Sequence, residues 1–209
     1  MAIPRPADEV TARARIRDAA FQLVAERGVQ GATLRAIAEI AGVSSALVVH
    51  HYGSKQGVLD EVGAWVLEIL DTAVDLVDDD TETANAERME AYARLFLDVP
   101  HLAGYVRRMV LDDSDSGVLW FESMVDNTVQ LLRRREALGK ARRSSDVRAE
   151  ALLLNVMGLG PILLPRHLMH IFGDTTMDVA TQRWNKAASE LFGSALYPAS
   201  KRRAASRLG

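Results

Sequence analysis

Apolar positions recur every three or four residues along most of the chain, the repeat of an amphipathic helix, and no stretch alternates convincingly with the period of two that a half-buried strand needs. The first helix is predicted from Asp8, a plausible cap, to Arg27, with Gly28 as the stop. It turns Ile16, Ala19, Ala20, Leu23 and Val24 to one face and Arg13, Arg15 and Arg17 to the other. Two short helices follow, Leu34 to Ala41 and Ser45 to His51. A fourth starts at Ser54 and repeats Val58, Val62, Trp65/Val66, Ile69, Ala73 and Val77. It should stop by Asp78, because three consecutive aspartates sit badly at the negative end of a helix.

Asp78 to Ala84 reads as an exposed loop. Further helices are expected near 85–98, from Pro100, and over 117–138 up to Gly139. Beyond a basic loop, Lys140 to Asp146, a long helix over 147–172 should kink around Gly158, Gly160, Pro161 and Pro165. The last helix, 177–192, opens on Thr175-Thr176-Met177-Asp178 and closes at Gly193. The fold class is therefore all-α, with about nine helices.

The stretch from Thr33 to Lys55 carries the chemistry. Thr33 can cap a helix whose inward residues are Leu34, Ile37, Ala38 and Ala41. Gly42 supplies the left-handed backbone of a tight helix–helix turn, and Val43 plugs the corner. Ser44 then caps a second short helix that buries Val48 and Tyr52, and the small Ala38 permits a steep crossing. Such a unit is a helix-turn-helix, whose second helix enters the major groove of DNA. Lys55 opens the next helix behind Ser54, where both its ammonium and the free N–H groups favour a phosphate.

Charge neither supports nor excludes that reading until it is divided along the chain. The formal net charge is −3, yet residues 1–59 carry +2, residues 60–132 carry −13 and residues 133–209 carry +8. An acidic middle cannot bind nucleic acid, so a DNA surface must come from one end. The absence of cysteine excludes a disulfide scaffold, a thiolate zinc site and a cysteine nucleophile. The longest mainly apolar stretch, Ala151 to Leu164, is short for a membrane span and the first residues lack the apolar core of a secretory signal. A soluble, cytoplasmic protein with no membrane partner is expected.

Residues 10–60, with the pattern T-x-R-x-I-A-x-x-A-G-V-S, a short helix and then H-Y-x-S-K, resemble the TetR/AcrR family of transcriptional regulators. The resemblance implies a DNA-binding domain over 1–53, a helical ligand-binding and dimerisation domain over 54–196, and a basic, disordered tail over 197–209. It also implies a homodimeric repressor that binds a double-stranded operator and loses it when a small effector enters the C-terminal domain. Carried onto this chain, Thr33 and Arg35 meet the DNA backbone or groove edge. Ser45, Ala46, Leu47 and His50 face the bases, beside the cap Ser44. His51 and Lys55 meet phosphates. The family usually has Tyr where this chain has Val49 and Gly where it has Ala46. Leu47 and Val49 could instead offer apolar contact to thymine methyls.

Elsewhere, Trp65, Phe96, Tyr105, Met109, Trp120, Phe121 and Met124 form a loose aromatic and methionine set that could line a pocket for an apolar or amphipathic effector, with Asn127 as a polar group. Each could equally be ordinary core. The apolar faces of the last two helices (Leu152, Leu153, Val156, Leu159; Val179, Ala180, Trp184, Ala187, Leu191) lack further partners in the chain and are expected to pair about a twofold axis. No metal or cofactor is expected. His50 and His51 point apart on a helix, His167 and His170 have no acidic ligand close in sequence, and Gly158-Leu-Gly160-Pro161 follows no strand. An interaction protein that keeps the fold without binding DNA, or an enzyme, is the alternative; no hydrolase, P-loop or metalloprotease motif supports the latter.

Overall fold

A computed structural model of the chain describes residues 6–75, 91–139, 141–173 and 176–196, and every regular element among them is an α-helix. They are α1 (Pro6–Gly31), α2 (Leu34–Ala41), α3 (Ser45–Tyr52), α4 (Lys55–Asp75), α5 (described over 91–98), α6 (Leu102–Val110), α7 (Asp115–Ala137), α8 (Val147–Leu163), α9 (Pro165–Phe172) and α10 (Met177–Leu196). The all-α expectation holds. The predicted loop from Asp78 to Ala84, the start of the helix near 85, Lys140, Thr175 and the basic tail lie outside the described residues.

Three boundaries differ for local reasons. Gly28 interrupts the helix with a positive φ (φ 73°, ψ 175°), a conformation open essentially to glycine, but one further helical turn continues to Gly31. The helix expected at Pro100 begins at Leu102, because His101 itself adopts a left-handed conformation (φ 68°) and a turn closes from Leu102 N–H to the Val99 carbonyl. The kinked helix over 147–172 is two helices, α8 and α9, bent by 78°. Leu164 leaves the helical region (φ −122°, ψ 40°) before Pro165, as a residue preceding proline tends to, and Pro165 opens the first turn of α9. No single described helix is long and apolar enough to cross a membrane; α8 and α9 pass that test only as the bent pair, and Leu159, Gly160, Pro161, Ile162 and Leu168 of that pair are buried in the protein.

The chain forms two compact units, Met1–Leu70 with Phe96–Trp120, and Asp71–Leu95 with Phe121–Gly209. In the first unit Ile16, Leu23 and Val24 of α1 are fully buried with Ile37, Val48, Val58, Val62, Val66, Leu102 and Val106. Each such side chain contributes about 1.5–3 kcal/mol relative to exposure. Aromatic rings continue that core: Phe21 packs edge-on to Trp65 at 5.2 Å and beside Tyr105 at 5.3 Å, and Tyr105 packs against Trp120 at 5.9 Å. The Trp120 indole N–H donates to the Gly63 carbonyl at 3.1 Å. In the second unit Val125, Val129 and Leu132 of α7 gather with Ala151 of α8, and Phe121, Val147 and Leu154 pack against them. Trp184 of α10 donates to the Met157 carbonyl at 2.9 Å, and its ring lies where a Cβ on Gly160 would be, so the glycine permits the helices' close approach.

Burial holds the phenols of Tyr105 and Tyr92 above their ordinary range. Folding therefore favours their neutral forms, and that contribution is complete below the unfolded value near 10 and lost as pH rises beyond it. Thermal melts on either side of pH 10 should show stability falling on the alkaline side, more steeply than in Tyr105→Phe.

Candidate nucleic-acid interface

The reading unit is assembled by side-chain caps. The Thr33 hydroxyl oxygen accepts from Ala36 N–H at 3.2 Å and starts α2. Ser44 does the same for α3, accepting from Leu47 N–H at 3.1 Å, and Ser54 for α4, accepting from Gly57 N–H at 3.1 Å. Each cap stabilises its helix by about 1 kcal/mol. Between α2 and α3, Gly42 is left-handed (φ 66°, ψ 39°), and its N–H and that of Val43 close back on Glu39 and Ala38 carbonyls. This is the predicted corner.

The corner fixes which face of α3 is free. Val48 is completely buried beneath it, with Ile37, Ala38 and Ala41 of α2. Ser44, Ser45, Ala46, Val49 and His50 are exposed, and Leu47 is half-buried. Thr33 and Arg35 are exposed on α2. Tyr52 is half-buried as well, but it is tied to α1: its hydroxyl donates to the Arg13 carbonyl at 2.9 Å, and the Arg13 guanidinium lies 5.0 Å from its ring. Burial raises the phenol above its usual range. Arg13 also pairs with Glu61 at 2.9 Å, an exposed bridge worth little by itself. The helix predicted to read bases thus presents short polar and apolar side chains on a rigid seat.

Lys55 has an additional engagement that sequence reasoning did not anticipate. The Lys55 ammonium donates to the Val29 carbonyl at 2.8 Å, anchoring α4 to the end of α1. An ammonium has three donors, so two are left for a phosphate. His51 is half-buried, and its Nε2 is covered without a hydrogen-bond partner among the described residues. Lys55→Ala should therefore do two things. Affinity for specific and random duplexes should fall together, with the salt slope reduced by about one. Stability should also fall by about 1 kcal/mol from the Val29 carbonyl left unpaired, visible in a denaturant melt.

Gly57 was not singled out from sequence, although a glycine in the first turn of a helix is a warning sign. A Cβ there would run into the Tyr52 backbone carbonyl oxygen, so the α3–α4 junction can close only over glycine.

The aromatic set is divided between the units. Trp65, Phe96, Tyr105, Met109 and Trp120 belong to the first, where Trp65 is sandwiched by Phe21 and the Arg17 guanidinium, 4.3 Å from its ring. Phe121, Met124 and Asn127 belong to the second. There Asn127 donates to the Asp71 carboxylate at 2.5 Å, and Asn155 donates to the Thr128 hydroxyl and the Ala151 carbonyl, both at 2.9 Å. Among the described residues no group of three metal-ligating side chains comes together.

Known proteins share this helical architecture. Residues 16–62 match the model of the bacterial regulatory proteins of the tetR family, and residues 98–197 match a tetracyclin repressor-like C-terminal domain. The HTH-type transcriptional regulatory protein RaaS of Mycobacterium tuberculosis is 38% identical over 160 residues, covering 75% of this chain and 72% of RaaS. The HTH-type transcriptional regulator BetI of Burkholderia mallei is 28% identical over 138 residues, 66% of each chain. Among solved structures, a regulatory protein in the tetR family from Rhodococcus RHA1 superposes with a TM-score of 0.61 at 18% identity, over 90% of this chain and 98% of that one. The fold, the capped helix-turn-helix and these matches together place the chain in the TetR family of DNA-binding transcriptional regulators.

Proposed function

We propose that the protein is a cytoplasmic, ligand-responsive repressor that binds a palindromic operator as a homodimer and leaves it when a small apolar or amphipathic molecule binds. The observation that carries this reading is the presentation of α3: one side locked into the core by Val48, the other free at Ser45, Ala46, Val49 and His50. Ser45, Ala46, Leu47 and His50 would meet base edges, while Thr33, Arg35, His51 and Lys55 would hold the backbone.

The dimer reading is supported by an apolar face on the second unit, where Leu152, Leu153, Val156 and Val179 are 43–63% exposed. A self-complementary pairing of α8 and α10 would cover it. The effector reading is supported within the same unit by apolar Phe121 and Met124 beside the polar pairs Asn127–Asp71 and Asn155–Thr128. Trp65, Phe96, Tyr105, Met109 and Trp120 belong to the first unit, with Tyr105, Met109 and Trp120 in its buried core. A hundredfold release requires the effector to favour the non-binding state by about 2.7 kcal/mol. Operator DNA must weaken effector binding by the same factor.

Selection of bound duplexes from a random pool tests the proposal. A palindrome with half-site centres about 10 base pairs apart, or a multiple, is the expected product. Recovery of unrelated sequences would defeat it. On the selected duplex, Val49→Tyr discriminates its role: tighter binding to all duplexes makes the new hydroxyl a phosphate contact, whereas loss on the operator alone makes Val49 a base reader.

A further inference from the structure

A second feature of the first unit is unrelated to the base-reading face. Where the C-terminal end of α1 meets α6, the surface opens into a cleft of about 580 Å³, within the size range of small-molecule sites. Half of its lining is polar and mostly basic, with Arg27, Gln30, Arg107, Arg108 and Asp112 beside the apolar Ala25, Val29 and Leu111, and Gly28 marks the break in α1. Three guanidiniums stand against one carboxylate, and that carboxylate already accepts from Ser114 N–H at 3.0 Å.

Cations commonly gather at a helix C-terminus, whose free carbonyls carry partial negative charge. Here that role is already filled. Arg108 reaches the Glu26 carbonyl at 3.4 Å, and Lys55 takes the Val29 carbonyl at 2.8 Å. Arg27 and Arg107 are surplus to it, and neither has a carboxylate partner among the described residues. Uncompensated guanidiniums sharing one concavity repel each other and gain most from an anion that accepts two hydrogen bonds from each fork.

We propose that this cleft binds a small dianion, a phosphate ester or a paired carboxylate, at Arg27, Arg107 and Arg108. The site lies wholly within the unit that carries the helix-turn-helix and is separate from the effector site proposed above.

Calorimetric titration of the full chain at constant ionic strength and slightly above neutral pH, with the dianions phenyl phosphate in one arm and malonate in the other, tests it. Saturable binding in either arm is expected, and the stronger arm identifies the source as phosphate or carboxylate. Arg27→Gln and Arg107→Gln, made separately so that one survives if the other misfolds, should each weaken it about tenfold or more. Arg143→Gln, exposed and outside the cleft, should leave it unchanged. Absence of binding in both arms overturns the proposal, as does an equal loss in all three variants. If neither anion binds but Arg27→Gln and Arg107→Gln weaken duplex binding, the arginines serve the DNA backbone and the proposal is wrong.

Discussion

Replacing Gly57 with alanine should nearly abolish operator binding while leaving the second unit folded. The added methyl collides with the Tyr52 carbonyl, which is backbone and already accepts from Ser54 N–H at 2.8 Å, so it cannot swing aside as a side-chain tip could. Either the first turn of α4 unwinds, releasing the Ser54 cap, or the end of α3 is pushed away from its seat. Overpacking of this kind costs about 3 kcal/mol at its upper range, and for a chain of this size that lowers Tm by roughly 6–12 °C. The effect on DNA is larger than the effect on stability. Displacing α3 would misplace several of the proposed base contacts at once, each worth about 1–3 kcal/mol, so operator affinity should fall about 100-fold or more. Anisotropy titration on the selected duplex, alongside a melt, separates the two losses. Near-normal binding with a normal melt would show that the junction has slack the structure does not display.

The second large effect is expected at Trp120. It is buried, packs against Tyr105, and its indole N–H finds its partner in the Gly63 carbonyl of α4. Trp120→Ala removes the ring from a filled core and should destabilise the first unit by about 3–5 kcal/mol. Trp120→Phe keeps most of the volume and loses only the second hydrogen bond to the Gly63 carbonyl, which α4 still pairs within the helix, for about 1 kcal/mol. A denaturant series on both variants should rank them in that order. If Trp120→Phe costs as much as Trp120→Ala, the hydrogen bond rather than the packing dominates.

Gly57 also shows where sequence reading reached its limit. The caps Thr33, Ser44 and Ser54 and the corner Gly42 were legible because each acts on backbone groups within three or four residues of itself. The buried side of α1 and α2 followed from helical spacing for the same reason. Gly57 was not legible, because the atom it avoids belongs to the preceding helix. Nor was the second role of Lys55, since Val29 is 26 residues away. The arginines of the α1–α6 cleft are some 80 residues apart in sequence and meet only through the packing of α1 on α6, where Gly104 rests against Ala25. The break at Leu164 was half visible: four glycines and prolines over 158–165 marked a kink, but not which of them would end the helix. For the effector, composition supplied a set of aromatic and methionine residues, and the fold distributes them between two units, several of them as plain core.

Whether the exposed face of α3 reads base sequence is decided by the affinity of His50→Ala for the selected duplex and for a scrambled one, measured side by side at fixed salt. His50 is exposed on α3 and holds nothing in the core, so truncating it leaves the fold intact. A roughly tenfold or greater loss is expected on the selected duplex for a dimer that uses two copies, with little change on the scrambled one. An equal loss on both duplexes, or none on either, would contradict base reading by α3.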